Sequence, residues 1–230
     1  MINFNTFSIT ARCETTKQLG IAVSTAIPGV GWLVPYVKAG VGAVASQAFV
    51  NPYLGINGLA YLQEGLTAEA ALEKVIAEDP AAELRQVSIV DAAGNAAVYT
   101  GSKCDSWHGH VTGDNYAIAG NMLANSSVLK AMETSFNEQG ALDLAERLLR
   151  ALEAGQAAGG DKRGKQSASL YVVDTEAYPL MDVRVDEHKD PVTELRRIYT
   201  VMEKRLVPFV KMLPKKHSAG KPDVKKSEHA

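Results

Sequence analysis

Apolar runs and short polar turns alternate along most of the chain. Residues 4–12 and 19–26 predict a pair of strands, and the polar segment 14–18 predicts the turn between them. From Gln18 to Gln63, 46 residues carry a single charge, that of Lys38. Strands that are covered on both faces have near-continuous apolar sequences instead of alternating ones. The pattern therefore predicts early strands that are buried on both sides.

Helix signals follow this stretch. Asn51 and Pro52 predict a helix start, with Asn51 as the cap and Pro52 at the first helical position. Thr67 is predicted to cap a second helix that ends near Asp79. The remaining pattern predicts loops over 27–35, 102–115 and 155–165, strands over 34–38, 40–50, 85–91, 95–101, 116–120, 167–174 and 180–186, helices over 126–138 and 141–154, and a last helix beyond 190–191.

The order of these elements indicates the architecture. Strands, helices, strands, helices, strands and a helix follow one another, and most strand connections are short. Short connections favour antiparallel pairing, because parallel strands need a crossover of a dozen or more residues. Two packed sheets with helices outside would bury the early strands on both faces. We therefore predict an α+β fold, a four-layer αββα sandwich with two mainly antiparallel sheets between helical layers, in a single domain over residues 1–214.

Composition narrows the class of protein. The 230 residues are 46% apolar and 22% charged, values that exclude a disordered, collagenous or disulfide-dense chain. The apolar run 18–37 is long enough to span a membrane, but Pro28, Pro35 and its many Ala and Gly residues argue against a transmembrane helix. Two distant cysteines, Cys13 and Cys104, favour a reducing cytoplasm over a secreted disulfide framework.

The net charge of −2 is distributed unevenly. Residues 215–230 hold five lysines against two acidic residues, a charge of +3, which leaves −5 for residues 1–214. A basic tail can bind nucleic acid, but this tail has 16 residues and no aromatic side chain to stack on bases. We predict that residues 215–230 form a disordered tail and that the protein binds neither nucleic acid nor a membrane.

A glycine-rich segment nearly matches a phosphate-binding loop. In GGDKRGKQS, residues 159–167, Gln166 replaces the hydroxyl that binds magnesium, and the segment leads from a helix into a strand. A phosphate loop leads from a strand into a helix, whose N-terminus holds the anion. Nucleotide binding is therefore disfavoured. A solvated charged turn and a substrate-binding loop remain equally compatible with the segment.

His108 and His110 could supply two ligands for a metal ion. A third would have to come from elsewhere, such as Cys104 or Asp105, and this spacing is not an established zinc pattern. The alternative is a histidine pair that packs its loop down beside Trp107. We predict no metal and no cofactor.

Hydroxyl groups are the remaining candidates for a nucleophile. No GxSxG elbow occurs, and neither cysteine has the local signature of a thiol nucleophile. A buried hydroxyl on a strand is usually hydrogen-bonded there and has no further role. A threonine at a free chain terminus, however, can use its own α-amine as the general base. The hydroxyls on the uncharged strands are those of Thr6, Ser8, Ser24, Thr25 and Ser46, and Thr6 would qualify once residues 1–5 were removed.

Several long motifs resemble one bacterial and archaeal family. TFSITAR, LGIAVST, KAGVGAVASQAFVNPYLG, ELRQVSIVD, YTGSKC, GNML and GGDKRGKQSASL are similar to a domain of unknown function, number 1028, over residues 6 to about 185. That family is placed in the N-terminal-nucleophile (Ntn) hydrolase superfamily. The resemblance therefore implies the same four-layer sandwich and an enzyme that cleaves an amide bond in a small or peptide-like substrate.

The resemblance also implies roles for individual residues. Thr6 would attack the amide carbonyl, and a backbone N–H with an amide side chain would stabilise the oxyanion. The candidates for that side chain are Gln47, Asn51 and Asn121, with Asn51 also a candidate for contacting substrate. The alternatives are a core hydrogen bond for Gln47 and a strand-end turn for Asn121. In the glycine-rich loop, Asp161, Arg163 and Gln166 are candidates for orienting the amine or binding a substrate carboxylate.

One departure from the family leaves the activity open. In many members the threonine at the position of Thr6 follows the initiator methionine directly, whereas MINFN precedes it here. Cleavage after Asn5 would free the amine. The alternative is an unprocessed, non-catalytic Ntn-like fold that binds a small ligand or serves in assembly. Ntn proteins often oligomerise, and the apolar segment 27–37 could support a homodimer.

Overall fold

Ten antiparallel strands form two sheets in the computed structural model, which describes residues 6–216. The larger sheet contains β1 (Thr6–Arg12), β2 (Leu19–Thr25), β7 (Gly109–Gly113), β8 (Tyr116–Gly120), β9 (Ser167–Val173) and β10 (Pro179–Val185), in the order β10-β9-β2-β1-β8-β7. The smaller sheet contains β3 (Pro35–Lys38), β4 (Gly42–Ala48), β5 (Arg85–Asp91) and β6 (Ala96–Thr100), in that order.

Seven α-helices lie between or after these strands within the described residues. They are α1 (Val30–Leu33), α2 (Pro52–Gln63), α3 (Ala68–Glu78), α4 (Ser127–Glu138), α5 (Leu144–Ala157), α6 (Pro191–Arg205) and α7 (Val207–Val210). The two predicted caps are confirmed. Asn51 Oδ1 accepts from the Tyr53 N–H at 3.1 Å at the start of α2, and Thr67 Oγ1 accepts from the Ala70 N–H at 3.3 Å at the start of α3.

Helices α4, α5 and α6 cover the outer face of the larger sheet. Phe7, Ile9 and Ile118 point from β1 and β8 into a fully buried cluster with the helix side chains of Met132, Phe136, Leu148 and Leu195. Gly155 lets α5 approach β1 closely. A Cβ atom at that position would lie 2.7 Å from Met132 Cγ and 3.1 Å from Phe7 Cε2.

Helices α2 and α3 cover the outer face of the smaller sheet. Val44, Val87 and Ile89 point outward from β4 and β5 into a second buried cluster, which the helix side chains Leu54, Leu62, Leu72 and Val75 complete. Because side chains alternate along a strand, the intervening residues of β4 and β5 face the other sheet. The chain therefore has two outer helical layers and two inner sheets.

The layer between the sheets has an apolar half and a polar half. In the apolar half, Leu19, Ile21 and Val23 of β2 pack against Val30, Val34, Ala43, Ala45 and Val173. In the polar half, β1 faces β4 and β5 through hydroxyl and amide side chains. Ser8 Oγ donates to Gln47 Oε1 at 2.7 Å, and the hydroxyls of Thr10 and Ser88 are hydrogen-bonded at 2.9 Å.

The predicted α+β four-layer sandwich is confirmed. The predicted burial of the early strands is confirmed for β1, β2 and β4, which are buried throughout, but not for β3, an edge strand that is partly exposed. Two further local predictions were wrong. The predicted loop 102–115 contains β7, which pairs with β8 in a hairpin, and the predicted loop 27–35 contains α1. The sequence over 102–115 lacks the apolar alternation of a strand because β7 is a half-exposed edge strand.

The single domain over 1–214 stays a prediction. The predicted disordered tail falls mainly on residues 217–230, which lie outside the described residues, as do residues 1–5. Within residues 6–216, no helix combines the length and the apolar character needed to cross a bilayer.

A buried ion pair fixes the segment between β4 and α2. The Arg85 guanidinium donates to both carboxylate oxygens of Asp79, at 2.8 and 3.3 Å, and to the Phe49 carbonyl oxygen at 2.5 Å. Asp79 also accepts from Asn51 Nδ2 at 2.9 Å. Burial alone would raise the pKa of Asp79, but the hydrogen bonds from Arg85, Asn51 and Ala81 outweigh it and lower that pKa below its usual value.

We predict that Asp79→Asn lowers the free energy of unfolding by about 3–5 kcal/mol at pH 7, because it leaves the Arg85 charge buried without its partner. The Asp79 carboxylate makes its full contribution to the free energy of unfolding above its unfolded-state pKa of 3.8. That contribution is lost as the pH falls through the lower folded-state pKa. The difference between wild type and variant, measured by urea denaturation, should therefore shrink on acidification.

The matched control is Glu83→Gln, which removes the exposed ion pair between Glu83 and Lys103 at 3.0 Å. Exposed pairs contribute little, so its effect should be several times smaller. Equal effects of the two substitutions would contradict the role assigned to the buried pair.

Candidate functional site

Thr6 begins β1 at one end of the larger sheet, and it is fully buried. In the strand register Thr6 lies opposite Thr25, and Thr25 lies opposite Ser167, so that three hydroxyl residues line up across β1, β2 and β9. On the other side of β1, the Asn121 N–H donates to the Thr6 carbonyl oxygen at 3.0 Å. Alternation along β1 puts Thr6 on the same face as Ser8 and Thr10, toward the smaller sheet.

Gln47 and Asn121, two of the predicted catalytic residues, meet at a third amide. Gln47 Nε2 donates to Gln86 Oε1 at 2.8 Å, and Asn121 Nδ2 donates to the same oxygen at 3.0 Å. Gln47 Nε2 also lies 3.5 Å from the Thr6 carbonyl oxygen. All three amides are buried, with at most 1% of each residue exposed. The structure therefore brings Thr6, Gln47 and Asn121 together in one hydrogen-bonded network between the sheets.

The glycine-rich loop after α5 reaches the same end of the sheet. Asp161 forms a bridge with Leu123, and its Oδ2 accepts from the Ala26 N–H at 3.2 Å, directly after Thr25. Arg163 donates to the Asp161 carboxylate through Nη2 at 2.8 Å and Nε at 3.3 Å. Asp161 is 3% exposed, whereas about a third of the Arg163 side chain is exposed. A cation that faces solvent therefore lies over a buried carboxylate beside the Thr6 end of β1.

The other two predicted substrate-binding residues lie differently. Gln166 donates its backbone N–H to the Thr25 carbonyl oxygen at 2.8 Å, which ties the loop to the sheet end next to Thr6. The Asn51 side chain caps α2 and bonds to Asp79, so it supports the β4–α2 connection instead of joining the amide network. The structure thus groups Gln166 with Asp161 and Arg163 and separates Asn51 from them.

Of the remaining hydroxyl candidates, Ser24 Oγ donates to the Ser167 carbonyl oxygen at 3.3 Å and Ser46 Oγ donates to the Asn51 carbonyl oxygen at 2.9 Å. Ser8 is committed to Gln47. These bonds are the ordinary strand interactions expected for buried hydroxyls. Thr6 differs from these serines in that its carbonyl oxygen lies beside the Gln47 side chain and the Asn121 N–H.

A cavity of about 20 Å³ lies against Asn121, lined also by Ala48, Phe49, Leu84, Lys103, Cys104 and Asp105. This volume suits one water molecule. Ala48 and Met122, next to the two network amides in sequence, have φ values of 67° and 50°. Non-glycine residues rarely adopt such values, and they concentrate where surrounding structure fixes a functional geometry. The chain therefore leaves the extended conformation at the end of β4 and just after β8, both of which adjoin the candidate site.

His110, one of the two histidines, links two edge strands. His110 Nδ1 and Thr100 Oγ1 are hydrogen-bonded at 2.9 Å, on the edge strands β6 and β7. In the part of the chain that the structure describes, no group of three or more His, Cys, Asp or Glu side chains could hold a metal ion.

Gln86 was missed by the sequence reasoning. It stands in the strand RQVSIVD as one polar residue among others, and nothing in that pattern distinguishes it from a solvent-facing position. One signal was present: residues 85–91 were predicted to be a strand of a two-sheet sandwich, and a polar side chain on the inner face of such a strand requires a partner. The identity of the partners depends on the packing of the two sheets.

Two comparisons with known proteins show the family. Residues 6–195 match the model of a family of unknown function, DUF1028. The crystal structure of protein SPO2555 from Silicibacter pomeroyi, described with the same family model, is similar with a TM-score of 0.85 and 32% identity over 92% of each chain. Anbu, an ancestral beta-subunit from Yersinia bercovieri, matches with a TM-score of 0.42 and 12% identity, over 90% of this chain and 98% of that one. No curated protein matches the chain.

The two cysteines should differ sharply in reactivity. Burial raises the pKa of Cys104, in the wall of the small cavity, to about 11, so this thiol is protonated at neutral pH. Partial burial would also raise the pKa of Cys13, but hydrogen bonds from Thr15 and Thr16 and the charge of Arg147 lower it overall. We predict that iodoacetamide at pH 8 modifies Cys13 first and Cys104 only on unfolding, as followed by peptide mass spectrometry.

Cys13→Ser is the matched control, and it should resist alkylation while folded. Rapid alkylation of Cys104 in the native protein would contradict the protonated, buried thiol and would make Cys104 a candidate nucleophile.

Proposed function

The chain belongs to the DUF1028 family, and on that premise we propose that it is an Ntn-type amidohydrolase with Thr6 as its nucleophile after removal of residues 1–5. The observation that carries this proposal is the position of Thr6. It begins a buried strand, its carbonyl oxygen is held by the Asn121 N–H at 3.0 Å, and the amides of Gln47 and Asn121 lie alongside.

The first step forms an ester. Thr6 Oγ attacks the amide carbonyl carbon of the substrate, and the free α-amine of Thr6 takes the hydroxyl proton. The tetrahedral oxyanion collapses, the carbon–nitrogen bond breaks, and the protonated amine delivers its proton to the leaving nitrogen. An α-amine suits this task because its usual pKa, about 7.7–8.0, lies near neutral pH.

The second step restores the enzyme. A water molecule, activated by the same amine, attacks the ester carbonyl and releases the carboxylic acid with the threonine hydroxyl reprotonated. Asn121 is the candidate donor to both oxyanions. Its amide nitrogen carries two hydrogens, and the bond to Gln86 at 3.0 Å uses one of them.

The loop after α5 supplies the proposed substrate contacts. The Arg163 guanidinium is the proposed contact for a substrate carboxylate, because it is positively charged, about a third exposed and held in place by Asp161 at 2.8 Å. We infer a substrate that carries an amide bond and a carboxylate, that is, a small or peptide-like compound. Both cysteines are free thiols, which supports a cytoplasmic protein as part of the proposal.

The proposal predicts a processed chain with a threonine-dependent activity. Intact-mass analysis of the purified protein should show the loss of residues 1–5. Thr6→Ala should reduce hydrolysis across a panel of N-acyl amino acids and short peptides on the order of a thousandfold or more, because it removes the attacking oxygen. Turnover by the wild type should increase from pH 6 to pH 9 as the α-amine loses its proton.

Thr6→Ser is the matched control, since it keeps the hydroxyl and should retain measurable turnover. An active species that still carries Met1 to Asn5 would eliminate the mechanism, as would unchanged hydrolysis by Thr6→Ala. Thermal stabilisation of the uncleaved protein by dicarboxylates without any product would favour the alternative, a non-catalytic binding module.

A further inference from the structure

We propose that Gln86 is the positioning residue of the Thr6 site, holding the amide groups of Gln47 and Asn121 in one orientation. The geometric part of this proposal stands by itself. Its consequence for catalysis rests on the proposed function.

The orientation of Gln86 follows from its backbone neighbours. Its side-chain nitrogen lies 3.0 Å from the Gly120 carbonyl oxygen and 3.1 Å from the Gly109 carbonyl oxygen. Carbonyl oxygens accept hydrogen bonds and cannot donate them, so the NH₂ group of Gln86 has to face these two atoms. The opposite orientation would set three oxygens against one another inside the protein. Oε1 of Gln86 therefore faces the other two amides.

The orientation of Gln86 then determines how the side-chain amides of Gln47 and Asn121 are oriented. Because Gln86 Oε1 is an acceptor, Gln47 and Asn121 have to present their NH₂ groups to it, at 2.8 and 3.0 Å. The Gln47 Oε1 atom is thereby turned toward β1, where it accepts from Ser8 Oγ at 2.7 Å. Two backbone carbonyls of the larger sheet thus set the direction of every amide in the network through Gln86.

Burial makes the arrangement obligatory. Gln86 is 0% exposed, so water cannot replace its hydrogen bonds, and an unsatisfied buried amide or carbonyl destabilises the folded state. Thr100 Oγ1 lies 2.9 Å from the same nitrogen and adds a third neighbour at the side of β6. The Oε1 side of Gln86 reaches the candidate site, whereas the Nε2 side anchors it to β6, β7 and β8.

The two sides of Gln86 allow a matched set of variants. Gln86→Met keeps the length of the side chain and removes both hydrogen-bonding groups. Gln86→Glu is the conservative variant, because a protonated carboxyl group can donate to Gly120 and accept from Asn121 as the amide does. Thr100→Val is the control, since it removes a neighbour of Nε2 and leaves the bonds of Oε1 in place.

The first readout is hydrogen exchange of side-chain amides, measured by NMR on the full ¹⁵N-labelled chain. In the wild type, the NH₂ groups of Asn121 and Gln47 should exchange at least tenfold more slowly than that of the exposed Asn125. Gln86→Met should remove this protection. Thr100→Val should change it less than twofold, and the Asn51 amide, bonded to Asp79, should be protected in every variant.

The second readout tests the consequence for catalysis, using a β-lactone, a strained ester that a nucleophilic hydroxyl opens to form an acyl-enzyme. Intact mass follows the acylation of Thr6. Gln86→Met should lower the maximal rate of acylation about a hundredfold with the half-saturating concentration unchanged, because it misplaces an oxyanion donor without altering binding. At pH 6, Gln86→Glu should acylate at most of the rate that the wild type shows at the same pH.

The outcomes separate the two proposals. Fast exchange of the Asn121 amide in the wild type would overturn the positioning role even if Gln86→Met does not fold. So would protection that persists in Gln86→Met, or acylation in that variant at the wild-type rate. If the wild type shows the protected amides and no acylation of Thr6, the positioning geometry holds and the proposed hydrolase activity fails.

Discussion

The hydrogen bonds that cross between the two sheets are the constraint on which this structure depends. Amide and hydroxyl side chains are costly to bury unless each finds a partner, and here they occupy half of the interior layer. Ser8, Thr10, Gln47, Gln86 and Ser88 find those partners on the opposite sheet or at its edge. The sheets can therefore dock in one relative position, whereas an apolar interface alone would tolerate small shifts.

The candidate site gains its geometry from this docking. Thr6 lies in β1 and Asn121 directly follows the neighbouring strand β8 of the larger sheet, whereas Gln47 belongs to the smaller sheet. A displacement of one sheet against the other would separate the threonine from Gln47 and break the bonds that Gln86 makes to both sides. The helices take part indirectly, by covering the outer faces so that the inner faces can be polar. Elements far from Thr6 thus contribute to the positions of the groups around it.

Much of the fold follows from local pattern. The near-absence of charge from Gln18 to Gln63 predicted strands covered on both faces, and the caps Asn51 and Thr67 were identified from residue type and spacing alone. Strand β7 was not predicted, because an edge strand has one exposed face and needs little apolar alternation. The meeting of Gln47, Gln86 and Asn121 could not be predicted, because it depends on pairings between segments 35 to 39 residues apart and on how two sheets pack.

The distances along the chain between interacting groups have a consequence for synthesis. Asp161 bonds to a residue 135 positions earlier, and β2 finds its second neighbour only in β9. At about 5–20 residues per second, roughly 8 to 30 s separate the appearance of Thr6 from that of the α5–β9 loop on the ribosome. During that interval the nearly uncharged strands β1 and β2 exist without β9, and β2 presents an open edge. The pairing that stabilises the finished sandwich therefore leaves an apolar strand edge exposed on the nascent chain until β9 has been synthesised.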